Sequence, residues 1–126
     1  MNISAHSNIS SQQAVLSEAI SKLQEKWELT NKDIAEVIGK DTSFITRLHQ
    51  GKTHINPDDK TGQLSLLLIR IFRSLGAFLG DRMHVQQEWL KAHNYAFNNS
   101  PLNAMKTIEG INQVVMYLDH MRGADG

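Results

Sequence analysis

Apolar positions recur along most of the chain at spacings of three and four, the period of helices that each bury one face. Val15, Leu16, Ala19, Ile20, Leu23 and Trp27 form the first such stripe, and Ser10-Ser11-Gln12-Gln13 ahead of it reads as a capping box. Thr30-Asn31-Lys32-Asp33 is a second capping box, opening a short helix to about Ile38 with Ile34, Ala35 and Ile38 facing inward. Gly39 supplies a tight turn, Asp41 an N-cap, and Phe44, Ile45 and Leu48 the inward face of a third helix that ends at Gly51. Asn56-Pro57-Asp58-Asp59 then reads as N-cap, first-turn proline and two carboxylates at the positive end of a fourth helix.

That helix carries Leu64, Leu67, Leu68, Ile71, Phe72, Leu75, Phe78 and Leu79 in a stripe broad enough to need partners on more than one side, and Gly80 stops it. Asp81 is the expected cap of a fifth helix with Met83, Val85, Trp89 and Leu90. An Asn-rich loop from His93 to Asn99 follows, and Ser100-Pro101 and Thr107 read as two more helix starts. The last helix sets Ile111, Val114, Val115, Leu118 and Met121 on one face and frays into Gly123-Ala124-Asp125-Gly126. No segment reads as a strand. The expected fold is all-α, an N-terminal helix-turn-helix followed by a small C-terminal helical domain, with 1–11 a flexible tail, 12–62 the helix-turn-helix region and 63–126 the C-terminal unit.

Composition narrows the chemistry. The 126 residues are 40% hydrophobic and 21% charged, an ordinary balance for a globular protein, and the absence of cysteine removes disulfides, thiolate chemistry and cysteine-based zinc sites. Met1 to Ser11 has neither the basic nor the apolar region of a signal peptide, and the apolar run Leu64 to Leu79, broken by Arg70 and Arg73, reads as too short and too charged to span a bilayer. A cytoplasmic protein with no membrane partner is expected. Thirteen basic residues balance thirteen acidic ones, so any binding to nucleic acid has to be local and shared between two copies on a two-part site.

The pair of short helices around Gly39 has the parts of a DNA-reading helix-turn-helix: a small Ala35 where the helices approach, a glycine turn, and an inward face from Ile45 and Leu48 that leaves the opposite face free. Lys32, with Lys52 and His54 just beyond the second helix and Asn31 in support, are candidate phosphate contacts. Asp33 and Asp41 put negative charge near the same phosphates.

The residues Asn31-Lys32-Asp33-Ile34-Ala35-Glu36-Val37-Ile38-Gly39, then Asp41-Thr42-Ser43-Phe44-Ile45-Thr46-Arg47-Leu48 and Gly51, resemble the Xre, or phage-repressor-like, family. The resemblance implies that Thr42, Ser43, Thr46 and Arg47 point into the major groove, where Arg47 would grip guanine through two hydrogen bonds. Phe44 is either a contact to a thymine methyl or a core or dimer-interface residue.

The C-terminal half carries Leu68-Ile69-Arg70-Ile71-Phe72-Arg73-Ser74-Leu75, Trp89-Leu90, Asn94, Ser100-Pro101-Leu102, and Thr107-Ile108-Glu109-Gly110 leading to Val114 and Tyr117-Leu118. This pattern resembles the toxin-binding domain of Xre/MbcA/ParS-type antitoxins. The family's loop before Ser-Pro usually carries glycines, whereas here Phe97-Asn98-Asn99 precedes Ser100, and asparagine also adopts left-handed angles. The resemblance implies homodimerisation, repression of the protein's own operon, and a cognate toxin such as an ADP-ribosyltransferase-like enzyme of the RES type. Trp89, Leu90, Leu102 and Val114 fit core positions by spacing, so Arg70, Arg73, Asn94, Tyr95, Tyr117 and Arg122 are the candidate partner residues, with solvated surface as their alternative.

The six histidines include no pair three or four apart, so no metal site is expected, and Asp58-Asp59 is explained by its place at a helix start. His49 and His54 are more plausible as neighbours of phosphates. No phosphate loop, nucleophile elbow or working carboxylate pair is present, so neither an enzyme nor a cofactor is expected. The remaining alternatives are a stand-alone Xre-family regulator without a toxin, and an interaction adaptor whose helix-turn-helix no longer binds DNA.

Overall fold

A computed structural model describes residues 10–125, and the expected tail falls outside that range up to residue 9. The helices are α1 (Ser11–Trp27), α2 (Asn31–Ile38), α3 (Thr42–His49), α4 (Lys60–Leu79), α5 (Met83–Lys91), α6 (Pro101–Ala104) and α7 (Ile108–Asp125). Among the described residues the only β-type pairing is a single bridge between Asn94 and Asn99, which closes the Asn-rich loop. The all-α expectation holds.

Local chemistry sets most of the helix starts. Ser10 with Gln13, and Thr30 with Asp33, form the two reciprocal capping boxes, Asp41 accepts the Phe44 amide, and Ser100 caps α6 ahead of Pro101. The Thr107 hydroxyl accepts the Gly110 amide at the start of α7. Gly39 closes α2 at φ +77°, a conformation that suits glycine. Asn98 takes φ +52°, so the loop before Ser100 makes its left-handed turn without glycine.

Several expectations need correction. Asn56 does not cap α4: its side chain accepts the Asp58 amide in a local turn, and Asp59 is the cap, so Pro57 and Asp58 precede the helix. That turn lies against the first turn of α4, where a Cβ on Gly62 would come within 2.0 Å of the Asn56 carbonyl oxygen. Arg82, not Asp81, is the N-cap of α5, and it makes no side-chain capping bond. Ser11 is helical, α3 ends at His49 two residues before Gly51, α7 continues to Asp125, and Val15 is exposed.

Helix α4 is the centre of the molecule. Leu68, Ile71 and Leu75 are fully buried, and the helix contacts α1, α2, α5 and α7, α7 most extensively. At 20 residues it is long and apolar enough, by length and composition, to cross a membrane, which the shorter apolar run does not suggest; in the fold it is the shared core helix. It also runs through residues 62 and 63, the expected border between the two halves.

Polar contacts from α1 and α2 tie the N-terminal helices to the C-terminal ones. The buried Trp27 indole Nε1 donates to Gln86 Oε1 at 2.9 Å, Gln86 Nε2 donates to the Gly80 carbonyl at 2.7 Å, and the indole lies 5.1 Å from the Phe72 ring. Lys106 Nζ, just after α6, reaches Asp33 at 3.0 Å and Glu36 at 3.1 Å, both on α2. Burial alone would raise the Asp33 carboxyl, but the hydrogen bonds from Lys106 and Thr30 hold it below its ordinary value. Burial likewise opposes the Lys106 charge, and its bonds to Asp33 and Glu36 nevertheless hold it above the ordinary lysine value.

Trp27→Phe removes the indole donor, leaves Gln86 Oε1 buried without a partner and opens a small void. The expected cost is about 2–4 kcal/mol in urea unfolding followed by circular dichroism, with an unchanged slope. For the charged cluster, Lys106→Met is expected to cost about 1–2 kcal/mol at neutral pH. A depressed carboxylate stabilises above its ordinary pKa of 3.8, and a raised lysine stabilises below its ordinary 10.5. The difference between wild type and Lys106→Met should therefore be flat between those values, shrinking as pH falls below the first or rises above the second.

Candidate nucleic-acid interface

The arrangement of α3 follows from its helical period. Phe44, Ile45 and Leu48 occupy one arc and are buried, while Thr42, Ser43, Thr46 and Arg47 occupy the other and are exposed. Helix α2 packs against α3 through the buried Ile34, Ala35, Val37 and Ile38, which leaves Lys32 exposed beside the start of α2. Beyond α3, Gly51 takes φ +72° and the Lys52 amide donates to the Arg47 carbonyl, so Lys52 emerges exposed next to the same helix. His54 is half-buried.

Phe44 leaves the list of outward residues. It is buried, with the Lys40 ammonium 5.1 Å from its ring centre, so its place is in the core. Thr46 donates its hydroxyl proton to the Thr42 carbonyl at 3.1 Å, and what it offers outward is an acceptor. The two acidic residues near this face are both engaged: Asp41 caps α3, and Asp33 caps α2 and holds Lys106.

A buried glutamine that the sequence reading does not single out joins both ends of this region. Gln24 Nε2 donates to the Leu29 carbonyl at 3.1 Å and to Asn31 Oδ1 at 2.8 Å, and Gln24 Oε1 lies 2.8 Å from His49 Nε2. Asn31 is half-buried and uses its oxygen inward. The available signal is positional, since Gln24 stands within the α1 stripe between Leu23 and Trp27, where a polar residue needs a partner.

The candidate partner residues fall into two groups. Arg70, Arg73 and Arg122 line an open groove of about 780 Å³ with an apolar wall that includes Val15, Leu66 and Ile69. Arg70 and Arg122 share the Asp119 carboxylate. Asn94, Tyr95 and Tyr117 lie around the Asn-rich loop: Asn94 Oδ1 accepts the Ala96 amide, Tyr95 is 92% exposed, and Tyr117 is half-buried with Trp89 and Phe97 in an aromatic cluster. Tyr117 and Arg122 stand about 140° apart around α7. Leu90, Leu102 and Val114 are core residues, as their spacing implies, while Ile108 and Met116 on α7 are exposed apolar residues. Among the described residues no group of three potential ligands could hold a metal ion.

Comparison with known families accounts for both halves. A model described as the antitoxin Xre-like helix-turn-helix domain matches residues 8–71, and one described as the antitoxin Xre/MbcA/ParS C-terminal toxin-binding domain matches residues 74–124. No curated protein matches the chain. The two matches meet inside α4, the helix that both halves share. The chain belongs to the Xre antitoxin family, an antitoxin-type DNA-binding regulator with an Xre-like helix-turn-helix ahead of an Xre/MbcA/ParS toxin-binding domain.

Proposed function

We propose that the protein is a cytoplasmic homodimer that represses its own operon by reading a two-part operator and neutralises a cognate toxin through its C-terminal half. In the proposed division, residues 12–62 read DNA and residues 63–126 dimerise and hold the toxin. The single observation that carries the DNA reading is the exposed arc of α3, where Thr42, Ser43, Thr46 and Arg47 face away from a core made by the same eight-residue helix. Thr42, Ser43 and Thr46 offer hydroxyls to base edges and Arg47 offers a planar fork suited to guanine. Lys32 and Lys52 supply charge for phosphates, with Asn31 and His54 beside them.

The toxin is proposed to be a RES-type or related enzyme that docks around the Asn-rich loop. In support, Tyr95 is an exposed aromatic residue packed against His93 on the loop that also carries Phe97, and Asn98 makes the loop's turn in the absence of glycine. Arg70, Arg73 and Arg122, grouped in the groove away from that loop, are assigned to a second partner-facing surface.

Arg47→Ala is expected to weaken specific DNA binding by about 1–3 kcal/mol, and Lys52→Ala to lower the salt slope of binding by about one unit. Fluorescence anisotropy across a salt series measures both, and two folded variants with unaltered binding would remove the assignment. For the toxin, Tyr95→Ala is the cleaner probe than truncation, because α7 covers α4 and its loss would expose the core. Co-purification with the product of an adjacent toxin-like reading frame should weaken in Tyr95→Ala by about 1–2 kcal/mol while DNA affinity stays constant. Full retention of the toxin would place its site elsewhere.

A further inference from the structure

The hydrogen-bond polarity around Gln24 can be deduced from one atom. A backbone carbonyl only accepts, so the side-chain atom of Gln24 that faces the Leu29 oxygen must be the amide nitrogen. The same NH2 group faces Asn31, so the Asn31 atom turned toward it must be the oxygen. The other end of the Gln24 amide is then an oxygen, and the His49 nitrogen 2.8 Å away must carry a proton. Each assignment in this relay follows from the one before.

The relay is anchored by the reversal after α1. Glu28 takes a left-handed φ of +54°, the Leu29 amide donates to the Gln24 carbonyl at 3.0 Å, and the Leu29 carbonyl accepts from the Gln24 side chain. Backbone and side chain of one residue thus clamp Leu29, while the 7% exposure of Gln24 keeps water from competing.

We infer that Gln24 is a positioning residue for DNA binding: it turns the Asn31 oxygen inward, so that Asn31 presents only its NH2 group outward to a phosphate, and it ties the C-terminal end of α3 to the same amide. The Asn31 NH2 has no partner among the described residues and stands at the first position of α2, beside the exposed Lys32. An Asn31 amide free to flip could also turn its oxygen toward the phosphate. The relay removes that choice. This inference rests on the DNA reading proposed above.

The test uses a duplex selected by the wild-type chain from a random-sequence pool. Gln24→Met and Asn31→Ala should each weaken binding about 3- to 10-fold, the worth of a neutral hydrogen bond, and the double variant should lose less than the product of the two. Asn31→Asp keeps the inward acceptor and suits a helix N-terminus, so its melting temperature should hold while its affinity falls. In the wild-type chain, nitrogen NMR should show His49 protonated at Nε2, a readout that needs no variant to fold. Protonation of neutral His49 at Nδ1 alone, losses that multiply, or unaltered affinity in folded Gln24→Met and Asn31→Ala would overturn the relay. If Arg47→Ala weakens binding in that last case, the DNA reading stands and only the relay fails; if the wild-type chain selects no duplex, both fail.

Discussion

Helix α4 has more apolar surface than one neighbour can cover. Leu68, Ile71 and Leu75 are fully buried, Leu64, Leu67, Ile69, Phe72 and Leu79 partly so, and the helix is sheathed by α1, α2, α5 and α7 together. At about 25 cal/mol per Å² of apolar surface, leaving such a stripe in water would cost either half stability. The helix-turn-helix and the C-terminal unit are therefore two functions built on one core. The Trp27–Gln86–Gly80 chain and the Lys106 contacts to α2 then fix how the two halves sit together.

The Lys106 contacts also ease an electrostatic difficulty. A chain with no net formal charge has little bulk attraction for DNA, and Asp33 and Asp41 stand close to the residues that would meet it. Asp41 is committed to the cap of α3, while Asp33 shares its oxygens between the cap of α2 and Lys106. Exposed beside α3 are the basic Lys32, Lys40, Arg47 and Lys52 together with Asp41. Lys106 offsets part of the α2 charge, while Asp41 keeps its own at the cap of α3.

Much of the fold was legible because its signals are local. A capping box needs four residues and a glycine turn needs one, so Ser10, Thr30, Asp41, Gly39 and Ser100 could be placed by reading along the chain. The reading went wrong where two local solutions compete: Asn56 closes a turn on Asp58 instead of capping α4, and α5 begins without any side-chain cap. Phe44 was left open between groove and core, and only packing decided it. The roles of Gln86 and Lys106 in joining the halves were invisible because their partners are set by tertiary structure; Trp27 and Gln86 are 59 positions apart and Asp33 and Lys106 are 73. Periodicity identifies exposed positions and says nothing about which of them share a surface, so the grouping of the candidate partner residues came only with the fold.

The central claim is that DNA meets this chain along α3 and the start of α2. Backbone amide NMR of the wild-type protein, titrated with its selected duplex, tests it most directly. The account predicts the largest shifts at Asn31, Lys32, Thr42, Ser43, Thr46, Arg47 and Lys52, with α5 and the Asn-rich loop little changed. Shifts concentrated on α5 to α7, or spread evenly over the surface, would contradict it.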